Sequence, residues 1–154
     1  ETVGSNATPT TIEQTNKSLR GHGFDINKFR AQNQYITLHA QECLNSFMVN
    51  DWPDEEKFNT MVDRIMHRAG KNGRRIRAFG EMVAILWEQG KNGATVQLEN
   101  LWHRLKNNKV CLYCAYPKSG FNQDPIESMK TICNTHSLVI DGEARPSTQI
   151  YYKR

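Results

Sequence analysis

The chain has 154 residues, of which 38% are hydrophobic and 23% charged, and its formal net charge is +4. This length is enough for one domain with its own core, while the lack of a long apolar run or a signal-peptide pattern argues against a membrane or secreted protein. Basic residues crowd together only at 71–77, which we interpret as a solvated turn and not as a nucleic-acid-binding face.

The first residues have no clear assignment. Residues 1–3 resemble the start of a strand, but Gly4-Ser5-Asn6-Ala7 breaks the pattern. We therefore interpret residues 1–7 as a strand remnant or a vector-derived segment and place a single domain at residues 8–154. A helix is predicted from the capping box Thr10-Thr11-Ile12-Glu13 to Gly21 or Gly23.

The rest of the chain alternates short strands with amphipathic helices. In chain order we predict a helix at 25–30, a strand at 35–39, helices at 42–49 and 54–69, a strand at 75–79, helices at 81–89 and 98–105, a strand at 110–116, a helix at 124–134, and strands at 138–140 and 149–152. The apolar strand at 110–116 is expected to be covered on both faces. The last two strands are expected to form a hairpin or an edge pair.

Strands that alternate with helices predict an α/β fold with a mostly parallel sheet and helices on both faces. Ligands of such folds bind beyond the carboxyl ends of the strands. The residues at these positions are Thr8, Thr10, His39, Gln41, Gly80, Glu81, Tyr116, Lys118 and His136. The sequence has no GxxxxGK[ST] loop for phosphate, so we do not expect nucleotide hydrolysis.

Glu81 is the strongest of these candidates. A carboxylate in the first turn after a strand can act as a base or bind a ligand, and it can equally stabilise its own helix. His39 and His136 lack partners at ligand spacing, so no metal is predicted. Glu99 and His103, four residues apart, are interpreted as a surface pair.

The four cysteines do not form a recognisable metal or disulfide pattern. Cys111 and Cys114 make a CxxC motif within a predicted strand. Their side chains would point to opposite faces of that strand, whereas a chelating CxxC needs a turn. We therefore predict buried, reduced cysteines in a cytoplasmic protein.

Four ordered blocks of the chain resemble the MEDS family, the methanogen/methylotroph sensory domains. The blocks are RAFGEMVAILWEQG at 77–90, LENLW at 98–102, CAYP at 114–117 and ICNTHS at 132–137. The resemblance extends over about residues 8–140. It implies a degenerate RecA-like, KaiC-like fold without a phosphate-binding loop. The family's first strands and helix are absent here, so the fold is expected to be incomplete at the N-terminus.

The resemblance also implies a sensory role in prokaryotic signal transduction, with small hydrocarbon derivatives as ligands and a histidine kinase or DNA-binding regulator as the output module. We predict a non-catalytic sensor without a cofactor. Its ligand-binding residues are predicted to be Gly80, Glu81, His39, Tyr116 and His136. An open sheet edge would favour pairing with a second copy. The alternatives are a nucleotide-binding relative of RecA-like ATPases and a protein–protein interaction module with an apolar groove.

Overall fold

The computed structural model describes residues 1–105, 110–116, 130, 132–134, 136, 138–140 and 150–152. In chain order its elements are β1 (Thr2–Ala7), α1 (Pro9–Gly21), α2 (Ile26–Ala31), β2 (Tyr35–His39), α3 (Ala40–Phe47), β3 (Met48–Val49), β4 (Trp52–Pro53), α4 (Glu55–Ala69), β5 (Ile76–Gly80), α5 (Met82–Glu88), α6 (Asn92–Arg104), β6 (Val110–Cys114), β7 (Leu138–Ile140) and β8 (Ile150–Tyr152).

Four parallel strands form the central sheet, in the order β2, β1, β5, β6. Helices follow β1, β2 and β5 in the chain before the next strand of this sheet, as parallel pairing requires. The result is an α/β fold consistent with a RecA-like arrangement. The prediction of a mostly parallel sheet is confirmed.

The two faces of the sheet carry different helices. Ile36 and Ile76 on one face pack against Ala69 of α4. On the other face, the Tyr35 hydroxyl donates to Asn16 of α1 (3.1 Å), and its ring lies below the guanidinium of Arg30 in α2. Helices on both faces are therefore confirmed.

The main core lies between the helices α3, α4, α5 and α6. Each helix contributes a stripe of apolar side chains spaced at three and four residues, as an amphipathic helix must. Its fully buried members include Leu44, Phe47, Phe58, Val62, Met82, Val83, Leu86 and Leu98. Because the same helices cover one face of the sheet, this core and the sheet form adjoining apolar layers.

The expectation that residues 4–7 break a strand is wrong. Thr2–Ala7 forms β1, which pairs with β2 on one side and with β5 on the other. Backbone pairing on both sides outweighs the weak strand propensity of glycine and asparagine, because that propensity depends on context. The N-terminal residues therefore lie at the centre of the sheet.

The predicted capping box at the start of α1 is also wrong. The helix begins at Pro9, and the Thr8 side chain accepts a hydrogen bond from the backbone N–H of Thr11 (3.4 Å). Proline is favoured at the first helical position, where it has no N–H to leave unpaired. This places the cap two residues earlier than Thr10. One residue, Thr8, thus joins β1 to α1.

β6 is not covered on both faces, contrary to the prediction. Cys111 is exposed and the Tyr113 side chain is 45% exposed, whereas Leu112 and Cys114 are half-buried. The alternation shows that the two cysteines of the CxxC point to opposite faces, as predicted. The expectation that Cys111 is buried is wrong, because the strand lies at the edge of the described sheet.

The C-terminal part of the chain is described only in pieces. β7 and β8 pair in antiparallel fashion, which confirms the predicted hairpin or edge pair. Residues 130 and 132–134 are helical, whereas the predicted helix start at 124 and the candidate Lys118 lie outside the described residues. Among the helices that are described, none is both long and apolar enough to cross a membrane.

Candidate functional site

An apolar cavity lies between the sheet and the helices α4 and α5. The space inside it that the centre of a water-sized sphere can reach is about 50 Å³. Ile65 and Met66 of α4 and Met82 and Val83 of α5 line it on the helix side, and Trp102 of α6 also contributes. The described lining residues are uncharged, and the exposed wall is almost entirely apolar. The cavity is therefore suited to an apolar molecule.

Small residues on the two central strands leave this space. Gly4 of β1 pairs with Ala78 of β5, and Asn6 pairs with Gly80. A Cβ built on Gly80 would meet nothing within 4 Å, and one on Gly4 would meet only the Arg77 carbonyl at 4.0 Å. Because neither position carries a side chain, the space beside each glycine stays open. Gly4, which disturbs the strand pattern in the sequence, thus helps to form the cavity.

Asn6 is a polar residue in the cavity lining. Its Nδ2 donates to the Met82 sulfur at 3.4 Å. Its buried Oδ1 has no hydrogen-bond partner among the residues that the structure describes. The Asn6 side chain also interacts with the Cys43 sulfur as a donor, which lowers the pKa of that thiol although burial raises it more. A buried acceptor without a strong donor favours a ligand that brings one.

Glu81 holds the start of α1, although it belongs to the start of α5. Its Oε2 accepts from the Thr8 backbone N–H (2.8 Å), and its Oε1 accepts from the Thr11 hydroxyl (2.9 Å). Its own N–H donates to the Asn6 carbonyl (2.9 Å). Besides the two functions considered from the sequence, the structure shows a third, because this carboxylate joins α1 to the start of α5. Ligand binding by Glu81 stays a prediction.

The connection from β1 to α1 differs from a phosphate-binding loop. In P-loop proteins a glycine-rich loop between a strand and a helix cradles the phosphates at the helix N-terminus. Here Thr8 alone makes the connection, and the Glu81 carboxylate accepts hydrogen bonds from the Thr8 N–H and the Thr11 hydroxyl. The anion at the start of α1 is thus a side chain of the protein itself.

A second cluster of polar groups surrounds Glu99 at the end of β6. The Glu99 side chain is 3% exposed and lies on α6. Tyr116 donates its hydroxyl to Oε1 (2.5 Å), while Cys114 Sγ lies 3.6 Å and His136 Nε2 3.5 Å from Oε2. The interpretation of Glu99 and His103 as a surface pair is therefore wrong, because Glu99 faces inward and His103 is exposed.

Burial changes the acid–base behaviour of this cluster. Burial, and next the Glu99 carboxylate, raise the pKa of the Cys114 thiol and the pKa of the Tyr116 phenol well above their ordinary values. Both groups therefore keep their protons near neutral pH and serve Glu99 as donors. The Tyr116 ring also packs edge-on against Trp87, with ring centroids 6.4 Å apart.

The predicted site residues fall into three places. Gly80 lines the apolar cavity, and Tyr116 and His136 meet at Glu99. Glu81 lies at the start of α1, and His39 is exposed beside a groove along that helix. Cys114 belongs to both the cavity lining and the Glu99 cluster, so these two regions adjoin.

Two residues of these sites, Asn6 and Glu99, were missed from the sequence. Glu99 occupies a position on α6 between Leu98 and Leu101, both of which are buried, and this apolar neighbourhood could have indicated burial. Asn6 was hidden because its strand was not predicted. Asparagine in a central strand is uncommon, and this would have been the clue.

The fold is an α/β domain consistent with a RecA-like arrangement, and its sequence has no GxxxxGK[ST] phosphate-binding loop. A family model described as MEDS: MEthanogen/methylotroph, DcmR Sensory domain matches residues 3–137. The chain therefore belongs to the MEDS family of sensory domains, and the resemblance seen in the sequence is confirmed. Comparison with curated proteins finds no match, and comparison with solved structures finds none either.

Proposed function

We propose that this sensory domain binds a small, mostly apolar molecule in the cavity between the sheet and α4, without catalysing a reaction. The observation that carries the proposal is the cavity itself, with its uncharged lining along the central strands and the facing helices. Native interiors are packed densely and hold few voids larger than a water molecule. An apolar cavity in a sensory domain therefore supports ligand binding at this place.

The volume limits the size of the ligand. The space open to the centre of a water-sized sphere is about 50 Å³, which is more than a single water needs and still suits only a small molecule. The uncharged lining disfavours organic acids, whose carboxylates would lose their hydration without gaining a partner. Short alcohols and halogenated one-carbon compounds fit both limits. An alcohol would in addition donate its hydroxyl to Asn6 Oδ1.

A route from the cavity to the surface runs through the start of α5. Met82 lines the cavity and accepts a hydrogen bond from Asn6, and the adjacent Glu81 holds Thr8 and Thr11 of α1. A ligand that displaces Met82 would thereby shift α1. We propose that this shift reaches a histidine kinase or DNA-binding output module. Association with a second copy of the domain stays a prediction.

We place the domain in the cytoplasm. Its four cysteines are free, as is usual in a reducing compartment. A cytoplasmic location agrees with an output module that acts on DNA or carries a kinase.

Filling the cavity is expected to abolish sensing without unfolding the domain. Ala78→Val adds two methyl groups at a half-buried strand position that lines the cavity. Ligand affinity should fall about tenfold or more, because the added methyl groups fill the ligand's space and a ligand forced in beside them would overpack the cavity at a cost of about 1–3 kcal/mol. The free energy of unfolding should stay equal or rise, since filling a cavity commonly adds about 0.5–2 kcal/mol to it. Thermal shift with methanol, ethanol and dichloromethane measures the first effect and urea unfolding the second.

The same substitution at the exposed Ala31 of α2 serves as the matched control and should leave ligand shifts unchanged. Acetate serves as the anionic control and should give no shift. The proposal is wrong if none of the alcohols or halogenated compounds stabilises the wild-type domain, or if Ala78→Val preserves their effect. In the first case an interaction module becomes the better explanation.

Nucleotide binding is the competing function, and we expect it to be absent. Titration calorimetry with Mg²⁺–ATP should give no binding heat at micromolar concentrations, because Glu81 already occupies the N-terminus of α1 and would repel a phosphate. Micromolar binding accompanied by phosphate release would instead establish an ATPase relative.

A further inference from the structure

The carboxylate of Glu99, the thiol of Cys114 and the imidazole of His136 converge at one point. One ligand-type atom from each residue lies within 4.8 Å of the other two. We propose that these three residues form a binding site for Zn²⁺ next to the apolar cavity. The site goes beyond the sensory function and does not depend on the identity of the cavity ligand.

Two of the three separations match the edges of a tetrahedral zinc site. Zinc bonds of about 2.3 Å to sulfur and about 2.0–2.2 Å to nitrogen and oxygen place sulfur about 3.6 Å and nitrogen about 3.4 Å from a shared oxygen ligand. Cys114 Sγ lies 3.6 Å and His136 Nε2 3.5 Å from Glu99 Oε2. Cys114 Sγ and His136 Nε2 lie within 4.8 Å of each other, and a bound ion would bring these two atoms to about 3.6 Å.

The orientation of His136 supports this assignment. Its Nδ1 lies 2.8 Å from the Ile132 carbonyl, which can only accept, so Nδ1 carries the proton. The other ring nitrogen, Nε2, lies 3.5 Å from Glu99 Oε2. Nε2 is therefore the ring nitrogen placed to bind an ion shared with Glu99.

The surroundings of the three ligands are those of a metal site. Histidines that bind metals usually donate their other ring N–H to a carbonyl or carboxylate, as His136 does to Ile132. Ligating carboxylates are themselves hydrogen-bonded, as Glu99 is by Tyr116 at 2.5 Å. These contacts fix the rotamers and the tautomer before any ion arrives.

The donor atoms select zinc over the hard cations. Thiolate and imidazole suit Zn²⁺, whereas Mg²⁺ and Ca²⁺ prefer oxygen ligands only. Binding replaces the Cys114 S–H proton by the metal, and this proton passes to solvent. Three protein ligands leave one position of a tetrahedral ion for water or another molecule.

Cobalt binding to the purified domain, after removal of metals with a chelator and with a phosphine reductant present, tests the site. Co²⁺ in a tetrahedral site gives intense visible bands, and a cysteine ligand adds a thiolate-to-cobalt charge-transfer band in the near ultraviolet. We expect both, with one ion per chain, displacement by Zn²⁺, and release of about one proton per ion. Weak octahedral cobalt spectra without the charge-transfer band would overturn the proposal.

Matched variants assign the ligands. Cys114→Ser should remove the charge-transfer band, whereas Cys111→Ser, on the exposed face of the same strand, should keep it. Tyr116→Phe should weaken Zn²⁺ binding about 10- to 100-fold while keeping the tetrahedral spectrum, as loss of an outer-shell contact does. A charge-transfer band that persists in Cys114→Ser and vanishes in Cys111→Ser would contradict the assignment. The wild-type cobalt spectrum can contradict the proposal by itself, so the test remains decisive even if one of the variants does not fold.

Discussion

Replacing Phe58 by alanine is expected to destabilise the domain by about 3–5 kcal/mol, the usual cost of removing a fully buried phenyl ring. Phe58 is 0% exposed. Its ring meets Phe47 edge-on at 5.4 Å and Trp102 edge-on at 5.0 Å between centroids. The substitution therefore leaves a void in the core and breaks two aromatic contacts, each worth about 0.5–1.5 kcal/mol beyond burial.

Urea unfolding monitored by circular dichroism measures this effect. The matched control is Phe24→Ala, since the Phe24 side chain is 50% exposed and should lose less than about 1 kcal/mol. Trp102 also lines the cavity, so Phe58→Ala should weaken ligand binding as well. Equal losses of stability in the two variants would mean that α4 does not pack on α6 as described.

Glu81→Ala is expected to lower the free energy of unfolding by about 2–3 kcal/mol, because two hydrogen bonds to a carboxylate are lost. A hydrogen bond to a charged group contributes about 1.5–3 kcal/mol, and the two contributions are not fully additive. The removed charge also lies at the positive N-terminus of α1. The expected result is a fall in the midpoint of urea unfolding together with faster hydrogen exchange in α1. Ligand affinity in the cavity should change less than in Ala78→Val.

Glu42→Ala provides the comparison. Glu42 lies in the first turn of α3 and is exposed, so it interacts with its helix dipole only and should cost about 0.3–1 kcal/mol. A double-mutant cycle between Glu81→Ala and Thr11→Val should give a coupling of about 0.5–3 kcal/mol, as for groups in direct contact. A coupling near zero would show that the carboxylate does not hold Thr11.

The sequence predicted the architecture well where periodicity was strong. The α4 pattern of Phe58, Met61, Val62 and Ala69 produced a helix with the expected boundaries, because one stripe of apolar residues meets one core. β1 was missed, since Gly4, Ser5 and Asn6 carry no apolar signal and their strand is held by pairing on both sides. Its neighbours in the sheet are distant in sequence, so local reasoning could not find it.

The sequence likewise indicated some residues of the sites but not their contacts. Gly80 and Tyr116 became candidates because each ends or follows a strand, and parallel strands end at one edge of the sheet. His136 follows a helix and was placed with them. The partners of these residues were not predictable. Glu99 meets Tyr116 and His136 through the packing of α6 on β6, and Glu81 meets Thr8 across more than seventy residues of chain.

The sequence by itself determined the family, the α/β alternation and the absence of a phosphate-binding loop, because these depend on residue order alone. Only the tertiary structure decided that Glu81 joins two helices, that small residues on β1 and β5 leave a cavity, and that Glu99, Cys114 and His136 converge. The physical reason is that hydrogen bonds, voids and ligand sets depend on distances between side chains. Those distances exist only once the strands have paired and the helices have packed on them.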